Sequence, residues 1–591
     1  MRIRKLFAAA AAALFFTAAA GTAAFAGNTG NNDRDDTWES LHFFKEATLT
    51  IENPKPGHTY EAYQIFKDER IGFETFYYVI NAEWGRNVDG DAIVADLEND
   101  NRGFYWGLDR VKDGKTAYTV ALYLYDNKTH QPEKKLKIFA GIAASALNGE
   151  APFAVSEHKE GSNLYTIRVD EPGFYLIRDR ITEDSPIAEG DAATSYICWK
   201  ADTKTIKVKA DAPSLEKKIL EGSEEKDTSE ASIGDSVQYL LKSRVPDMEG
   251  YDTYSYEIRD TLSAGLTFQN DVKVMIGGKE ADPGCVHVSS SENADRATSI
   301  SIRLDLLGHY AYDPEAETPI RVTYSALLNT DAVIGGTGNP NEAKLMYSNN
   351  PAESGEGHVP KGSTPLDKVV TYTGALQVMK MDTVTGDPLA GAEFRLTGES
   401  VNQVKVVTKT FTRDDRGTYY KLKSGAYTQA APEAGKSEAY ASTEERYRAT
   451  EKTEIQQKKE NVDVTAAVGE DGIVRFDGIG ASGANGYQLT ETKAPDGYQG
   501  LSKPITVYVD CALPKTEDDP TFSTPAAWTF RIGSGDAQGA ENGVVKTVVE
   551  NAPHVNYPGA GGRGTFLLTI LGVSSLAAAI GLAAANRRKR S

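Results

Sequence analysis

The sequence predicts an all-β protein built from tandem β-domains, with a transmembrane helix at its C-terminal end. Runs rich in Val, Ile, Tyr and Thr alternate between apolar and polar residues, which is the period of a β-strand. Gly, Asn, Asp and Pro separate these runs as they do at turns, and helical patterning is scarce. Residues 566–585 form one continuous stretch of apolar or small residues. Alternation with frequent turns is typical of sandwiches or barrels.

Single segments are assigned from the same patterns. Residues 116–125, 164–169 and 504–509 are predicted to be strands, because apolar and polar or Thr positions alternate along them. Residues 136–147 carry an apolar pattern that fits a helix. Residues 436–461 are charged and contain few large apolar residues other than Tyr, so we expect a solvated insertion here and not a core element.

The composition limits the classes of function. The 591-residue chain has 84 acidic and 64 basic residues and a formal net charge of -20, which argues against nucleic acid as the main partner. The three cysteines, Cys198, Cys285 and Cys511, lie far apart and include no C-x-x-C. We therefore predict neither a disulfide framework nor a zinc site, and no metal or cofactor.

The N-terminal end indicates export. Arg2, Arg4 and Lys5 precede an Ala-rich apolar stretch, and Ala24-Phe25-Ala26 fits the small-x-small cleavage pattern. Residues 1–26 are therefore predicted to be a secretory signal peptide, and the alternative is an N-terminal membrane anchor.

The C-terminal end indicates a membrane stop. The apolar stretch 566–585 is long enough to span a bilayer as a helix. The basic tail 586–591 is expected to stay in the cytoplasm by the positive-inside rule. The part of the chain between the two ends is more acidic than the whole, because both ends carry only basic charges.

Two breaks divide the exported part. Residues 210–213 precede a new strand, and residues 349–365 form a connector rich in Gly, Pro and Ser. We predict three domains at 27–211, 212–372 and 373–553, followed by a C-terminal segment at 554–591.

Strand alternation in the third domain directs three polar side chains inward. Lys380 shares a face with apolar residues of its strand, and so do Glu491 and Asn551 in theirs. Burial disfavours charge on Lys and Glu, so a neutral pair can form, in which the amine is a nucleophile and the carboxyl polarises the amide of Asn. The product is a Lys–Asn isopeptide bond with loss of ammonia. The alternative is a buried salt bridge beside an Asn.

Three segments of this domain carry a family resemblance. Residues 378–382, 388–394 and 486–498 look like the B-type repeat of collagen adhesins and sortase-assembled pilins, and the last segment is similar to the pilin E box. The resemblance implies immunoglobulin-like β-sandwiches, and an isopeptide bond between Lys380 and Asn551 assisted by Glu491. Residues 57–66 resemble the N-terminal domain of isopeptide-forming fimbrial subunits, although the opening strand of that domain offers no inward Lys.

The second domain resembles the A-type isopeptide domain of shaft pilins. Alternation places Lys217, Asp260 and Asn349 inward. The resemblance implies a bond between Lys217 and Asn349 with Asp260 as the catalyst, and Asn341 and Asn350 are rival partners. The alternative is an ordinary surface lysine.

The segment before the apolar stretch resembles a cell-wall sorting signal of Gram-positive surface proteins. Tyr557, Pro558, Gly559, Ala560 and Gly561 stand where that family usually has L-P-x-T-G, so Tyr replaces Leu and Ala replaces Thr. The resemblance implies cleavage by a sortase and attachment to the wall. The alternative is a Gly-rich hinge before a permanent membrane anchor.

A shaft pilin also uses an outward lysine to join the next subunit. Ile206 and Val208 are expected to face inward, so Lys207 and Lys209 face outward. We favour Lys209, with Lys207 close behind. The family's V-Y-P-K ending is absent here, and the alternative is two ordinary solvated lysines on an edge strand.

The leading functional interpretation is therefore the repeating shaft subunit of a covalent surface pilus, secreted and anchored to the cell wall. Its expected partners are identical subunits, a sortase and peptidoglycan, with minor pilins and a host surface ligand as further partners. The alternative function is a monomeric wall-anchored adhesin whose domains form a stalk. An exported enzyme is disfavoured, because the eight His residues are scattered and no hydrolase motif is present.

Overall fold

The computed structural model describes residues 46–554, except for 68–69, 72–78, 81, 125–131, 172, 182–186, 202, 209–211, 249, 314, 352–361, 399–400, 402, 434–436, 458–462, 516–518 and 520. The predicted signal peptide 1–26, Lys209, the motif 557–561 and the span 566–585 lie outside the described residues. Within the described residues, no helix is long and apolar enough to cross a membrane.

The first group of elements extends from residue 47 to residue 207. Its strands are β1 (Ala47–Glu52), β2 (Thr59–Lys67), β3 (Arg70–Ile71), β4 (Val79–Ile80), β5 (Glu83–Trp84), β6 (Ala154–Val155), β7 (Glu157–His158), β8 (Leu164–Val169), β9 (Gly173–Arg180), β10 (Ile197–Lys200) and β11 (Lys204–Lys207), and its helices are α1 (Gly90–Glu98), α2 (Thr116–Leu124) and α3 (Pro132–Ser145). One sheet has the order β11-β1-β8-β7 and the other β10-β9-β2-β5, with β6 beside β2. Alternation along β1 and β8 buries Leu49, Ile51 and Ile167 in a core that also holds Trp199.

The strand predicted at 116–125 is wrong, because Thr116–Leu124 is helix α2. Ala117, Val120, Ala121 and Leu124 are all buried, and their spacing of three and four residues places them on one helical face. The apolar residues of this segment fit the two-residue period of a strand and also the period of a helix. The segment forms a helix because its apolar face packs against the core formed with β2 and β9. The helix predicted at 136–147 is confirmed by α3, and the strand at 164–169 by β8.

The second group extends from residue 216 to residue 372. Its strands are β12 (Glu216–Glu221), β13 (Glu224–Lys226), β14 (Thr228–Glu230), β15 (Ser236–Arg244), β16 (Tyr256–Leu262), β17 (Leu266–Phe268), β18 (Lys273–Ile276), β19 (Lys279–Glu280), β20 (Val286–Glu292), β21 (Thr298–Leu304), β22 (Pro319–Leu328), β23 (Asn339–Tyr347), β24 (Gly362–Ser363) and β25 (Asp367–Tyr372). They form two sheets, β13-β12-β15-β22-β18-β19 with β17 beside β22, and β14-β25-β23-β16-β21-β20 with β24 beside β23. The apolar side chains of both sheets form one buried cluster, as in a sandwich.

The third group extends from residue 374 to residue 551. Its strands are β26 (Gly374–Asp382), β27 (Glu393–Thr397), β28 (Gln403–Arg413), β29 (Tyr420–Lys421), β30 (Tyr427–Thr428), β31 (Tyr447–Gln457), β32 (Val464–Ala467), β33 (Ile473–Ile479), β34 (Tyr487–Lys493), β35 (Ile505–Ala512), β36 (Ala527–Ile532), β37 (Gln538–Gly539) and β38 (Val544–Asn551). One sheet has the order β31-β28-β33-β26-β38, and the other has the order β32-β27-β34-β35-β36-β37. The strand predicted at 504–509 is confirmed by β35.

The charged segment 436–461 contains β31, which pairs with β28 along the whole length of both strands. β31 lies at the edge of its sheet, and most of its described side chains are exposed. Its charged residues suit an edge strand, because they hinder pairing with a further chain. The segment is thus an exposed edge element, outside the core as predicted.

The second and third groups are in direct contact. β25 leads into β26 with only Thr373 between them, and the amide of Ile233 donates to the carbonyl of Gly478 at 2.9 Å. Gly478 has a φ of 90°, and a Cβ atom there would lie 2.2 Å from the Cδ1 atom of Ile233. Glycine is therefore required at this contact for both its conformation and its size.

Candidate functional site

The third group places Lys380 and Asn551 on adjacent strands. β26 and β38 are parallel neighbours, with Lys380 opposite Val549 and Asn551 two residues further along. Since side chains alternate along a strand, Lys380 and Asn551 point to the same face, and both are buried. Glu491 reaches them from β34 in the facing sheet, and its side chain is fully buried.

The two nitrogens of this cluster meet at one carboxylate oxygen. Glu491 Oε1 lies 2.9 Å from Asn551 Nδ2 and 3.7 Å from Lys380 Nζ. Lys380 Nζ also donates to the carbonyl of Val549 at 3.0 Å, and the amide of Leu501 donates to Glu491 Oε2 at 2.7 Å. Asn551 Oδ1 is buried and accepts no hydrogen bond from any described residue. The structure therefore brings together the three residues that the sequence predicted for this domain.

The environment of Lys380 makes its neutral form more accessible than that of an exposed lysine. Burial lowers the pKa of Lys380 to about 8, although Glu491 acts in the opposite direction. A deprotonated amine is a nucleophile, and it lies beside the amide of Asn551 and a carboxyl group that can take up a proton.

The second group contains a different arrangement around Lys217. Lys217 Nζ donates to Asp260 Oδ2 at 2.5 Å and to the Tyr324 hydroxyl at 2.9 Å. That hydroxyl also accepts a hydrogen bond from Asn341 Nδ2 at 2.8 Å and donates to Asp260 Oδ2 at 2.6 Å. All four residues are buried. Burial lowers the pKa of Lys217, against the opposing effect of Asp260.

Asn349 is not part of this cluster. It follows the end of β23 at Tyr347, whereas Asn341 lies six residues before that end, about 20 Å away at the rise of a strand. The carbonyl of Asn349 accepts a hydrogen bond from the amide of Ala193, so the residue lies at the contact between the first and second groups. Asn350 is its buried neighbour. The structure therefore places Asn341, and neither of the other two, beside Lys217 and Asp260.

The two clusters differ in how they connect the sheets. Lys217 on β12 and Asn341 on β23 belong to opposite sheets of one sandwich. Lys380 and Asn551 belong to adjacent strands of one sheet, and only the carboxyl group comes from the facing sheet. A bond in the second group would therefore tie the two sheets together, and a bond in the third group would tie the first strand to the last.

Tyr324 is a functional candidate that the sequence analysis missed. It lies on β22, where Ile320, Val322 and Tyr324 are buried in alternation. The alternation that directed Lys217 inward also directs Tyr324 inward. Tyrosine is common in such cores, however, so alternation alone does not identify Tyr324 as a functional residue.

The first group has a buried ionic cluster without an inward lysine on β1. His58 Nδ1 lies 2.8 Å from Asp179 Oδ2, and His58 Nε2 lies 3.1 Å from Asp191 Oδ2, with all three side chains fully buried. Burial alone would lower the pKa of His58, but its hydrogen bonds and charge interactions with the two carboxylates outweigh it and raise the pKa to about 9. The protonated ring can donate to both carboxylates at once.

The loop that carries Asp191 also contacts the second group. The carbonyl of Asp191 accepts a hydrogen bond from the Tyr347 hydroxyl at 2.8 Å, and Gly190 donates its amide to the carbonyl of Ser363 at 2.7 Å. The His58 cluster therefore supports a loop at the contact between these groups.

The predicted intersubunit lysines are only partly described. Lys207 lies on β11, is exposed, and forms an ion pair with Glu52 at 3.2 Å. Lys209 lies outside the described residues, as do Tyr557, Pro558, Gly559, Ala560 and Gly561.

All three cysteines are free, and the described ranges contain no group of three His, Cys, Asp or Glu side chains able to hold a metal ion.

Family models match two parts of the chain. Residues 233–351 match the model described as Gram-positive pilin backbone subunit 2, Cna-B-like domain, although the sequence here suggested an A-type domain. Residues 374–450 and 447–519 match the SpaA model, a prealbumin-like fold domain. The chain is also 26% identical over 423 residues to the trypsin-resistant surface T6 protein of Streptococcus pyogenes serotype M6, which is 68% of this chain and 74% of that protein.

Two pilins are among the solved structures to which the chain is similar. The T6 backbone pilin of Streptococcus pyogenes has a TM-score of 0.48 at 17% identity, over 87% of this chain and 100% of that one. The major pilin SpaD of Corynebacterium diphtheriae has a TM-score of 0.42 at 16% identity, over 87% of this chain and 99% of that one.

Proposed function

We propose that the chain is the repeating subunit of a covalent pilus shaft, crosslinked internally by two isopeptide bonds, because parts of it match models of Gram-positive pilin domains and 68% of it aligns with the surface T6 protein. A sortase joins the subunits and attaches the polymer to peptidoglycan at the cell surface. The protein is a structural subunit, and its only chemistry is the formation of its own crosslinks.

The observation that carries this proposal is the repeated combination of Lys, carboxyl and Asn in two consecutive groups. The proposed bonds are Lys380–Asn551, assisted by Glu491, and Lys217–Asn341, assisted by Asp260. Buried lysines are costly to a fold, and two of them beside an Asn amide are unusual for a purely structural purpose. Asn341 replaces Asn349 in the proposal, because Asn341 shares the Tyr324 hydroxyl with Lys217.

The reaction in the third domain needs only the groups present. The carboxylate of Glu491 takes a proton from Lys380, and the neutral amine attacks Cγ of Asn551. The Nζ–Cγ bond forms, the Cγ–Nδ2 bond breaks, and Nδ2 leaves as ammonia with a second proton from Nζ. Glu491 keeps the first proton. Holding the groups in contact gives the large rate advantage of an intramolecular reaction.

The polymer requires an acceptor lysine at one end of the subunit and a cleavable segment at the other. β11 is the last strand of the first group, and it exposes Lys207, two residues before Lys209. β38 runs parallel to β26, so its last residue, Asn551, lies at the end of the third group away from the second. We propose that the sortase cuts after Ala560 and that the amine of Lys209 on the next subunit, or else Lys207, accepts the thioester.

The domain division 27–211, 212–372 and 373–553 is part of this proposal. Among the described strands, none pairs across residue 211 or residue 372. Each division therefore leaves every sheet intact, and the two family-model regions fall on separate sides of the second boundary.

The test is the covalent state of the protein in wall extracts from the source bacterium. Denaturing gels are expected to show a ladder of high mass that depends on the sortase, and Lys209→Ala is expected to abolish it. Lys207→Ala is the matched control, because it removes a neighbouring exposed amine. Polymers that persist in both variants would place the linkage on another lysine. Monomers alone in the wild type, with the sortase present, would favour a wall-anchored adhesin.

A further inference from the structure

We propose that the Tyr324 hydroxyl relays a proton from the attacking nitrogen to the leaving nitrogen when the second domain crosslinks. The inference rests on the Lys217–Asn341 bond proposed above. It assigns a catalytic role to Tyr324, which lies in the same sheet as Lys217 and faces the sheet that carries Asn341. Tyr324 lies on β22, and its hydroxyl contacts both reacting side chains and the carboxyl group that assists them.

The Tyr324 hydroxyl makes all the hydrogen bonds that it can form within this cluster. It accepts from Lys217 Nζ at 2.9 Å and from Asn341 Nδ2 at 2.8 Å, and it donates to Asp260 Oδ2 at 2.6 Å. Within the described part of the chain, no other group hydrogen-bonds to both nitrogens. A hydroxyl has one proton and two acceptor sites, so this contact set is complete.

The reaction needs a proton at the leaving nitrogen. In the resting amide, Nδ2 of Asn341 is only a donor, and the Tyr324 proton is directed to Asp260. When Nζ of Lys217 adds to Cγ, the carbon becomes tetrahedral and Nδ2 regains a basic lone pair. The role of the hydroxyl toward Nδ2 then reverses, so that Tyr324 donates to Nδ2 while it still accepts from Nζ.

The atoms balance without any further reactant. Asp260 first takes one proton from Lys217, and the neutral amine forms the Nζ–Cγ bond. Tyr324 gives its proton to Nδ2 and receives one from the positively charged Nζ. The Cγ–Nδ2 bond breaks, ammonia leaves, one hydrogen remains on the new amide, and Asp260 keeps the first proton.

Two features support a relay over a mere packing role. Burial and the neighbouring Asp260 raise the pKa of Tyr324, so the phenol stays protonated and able to donate. The buried Oδ1 atoms of Asp260 and Asn341 also have no hydrogen-bond partner among the described residues. Both atoms are therefore available for a hydrogen bond that a protonated Asp260 donates to the Asn341 carbonyl during the reaction. In the third domain both nitrogens instead lie near Glu491 Oε1, so that site needs no hydroxyl.

The test follows crosslinking during refolding. Residues 27–560 are produced as inclusion bodies, dissolved in denaturant, diluted into buffer and quenched at intervals for intact-mass analysis. A Lys380→Met background removes the third-domain bond, so each chain then loses one ammonia, about 17 Da, only through the second domain. Tyr324→Phe is expected to slow this loss about 100-fold, within the usual range for a general acid–base group.

Tyr239→Phe is the matched control. The Tyr239 ring packs on Tyr324 at 5.3 Å and lies 5.2 Å from Lys217 Nζ, and its hydroxyl lies near Thr371 and Asn341 but makes no hydrogen bond to Lys217, so it cannot link the two nitrogens. This variant is expected to crosslink at the wild-type rate. A wild-type rate in folded Tyr324→Phe would overturn the relay, whereas absence of the mass loss in the parent chain would overturn the crosslink itself.

A second variant covers the case in which Tyr324→Phe fails to fold. Replacing Tyr324 with 3,5-difluorotyrosine keeps the ring and the hydroxyl but makes the phenol more acidic. A proton-transfer group responds to its own acidity, so we expect the crosslinking rate to change at least about threefold. An unchanged rate would overturn the proposal.

Discussion

Lys380 and Asn551 lie on neighbouring parallel strands, with Asn551 two residues beyond the register partner of Lys380, and both side chains enter the same buried face. The first and last strands of the third domain thus meet at the two residues that the proposed bond would join. Glu491 touches both from the opposite sheet, which makes this pair the most direct place to test the crosslinking chemistry.

Glu491→Ala is expected to leave the third domain folded but without its crosslink. The variant keeps Lys380 and Asn551 but removes the carboxyl group that takes the proton from the amine. Intact mass is expected to show one loss of ammonia instead of two, and limited proteolysis is expected to cut the third domain faster. Glu550→Ala, next to Asn551 on β38, is the control and is expected to keep both losses. Two losses in Glu491→Ala would show that Glu491 is dispensable.

Asn341→Ala is expected to abolish the second-domain bond, and Asn349→Ala to leave it intact. The reason is position, because only Asn341 shares a hydrogen-bonding partner with Lys217. Mass analysis combined with mapping of the crosslinked peptides distinguishes the variants. If Asn349→Ala abolished the bond and Asn341→Ala kept it, Asn349 would be the bonding partner. If both variants lost the bond equally, each change would be disturbing β23 as a whole.

Loss of the third-domain crosslink is expected to lower stability by about 5 kcal/mol, since the bond closes a loop of roughly 170 residues and restricts the unfolded chain as a disulfide does. For a domain of this size, that corresponds to a fall in Tm of about 10–20 °C. Calorimetry of Asn551→Ala against the parent chain measures the change. Asn542→Gly, in the exposed turn before β38, is the control, because glycine adopts the positive φ of 50° at this position without strain. Equal melting of Asn551→Ala and the parent would contradict the crosslink.

The first domain is expected to lose stability as the pH rises toward 9. The pKa of His58 is about 9 in the fold against an ordinary value of 6.5, so its contribution is complete below pH 6.5 and disappears as the pH rises through 9. The contribution amounts to about 3 kcal/mol at low pH. Hydrogen exchange of the β2 and β9 amides in the parent and in His58→Gln measures it at pH 6 and pH 9.5.

The difference between the parent and His58→Gln is expected to shrink at the higher pH. His158→Gln serves as the control, because His158 is exposed and hydrogen-bonds only to the carbonyl of Ser162 among the described residues. A difference that stays constant over this pH range would show that the charge of His58 does not stabilise the domain.

Much of the candidate site was available from local alternation. A period of two fixes which side chains of a strand share a face, and it correctly directed Lys217, Lys380, Asp260 and Asn551 inward. Lys218, the residue after Lys217 on β12, points the other way and is partly exposed. These predictions succeed because burial within a strand depends mainly on neighbours two residues away.

The sequence by itself determined the β architecture, the inward direction of Lys217, Asp260, Lys380 and Asn551, and the resemblance to Gram-positive backbone pilins. Only the tertiary structure decided between Asn341 and Asn349, since the two are eight residues apart and share one phase. Sheet register, set by pairing of β23 with β16, brings Asn341 close to Asp260, which contacts Lys217 from the facing sheet. Packing between sheets also placed Tyr324 in the cluster and made 116–124 a helix, because both depend on contacts between segments far apart in the chain.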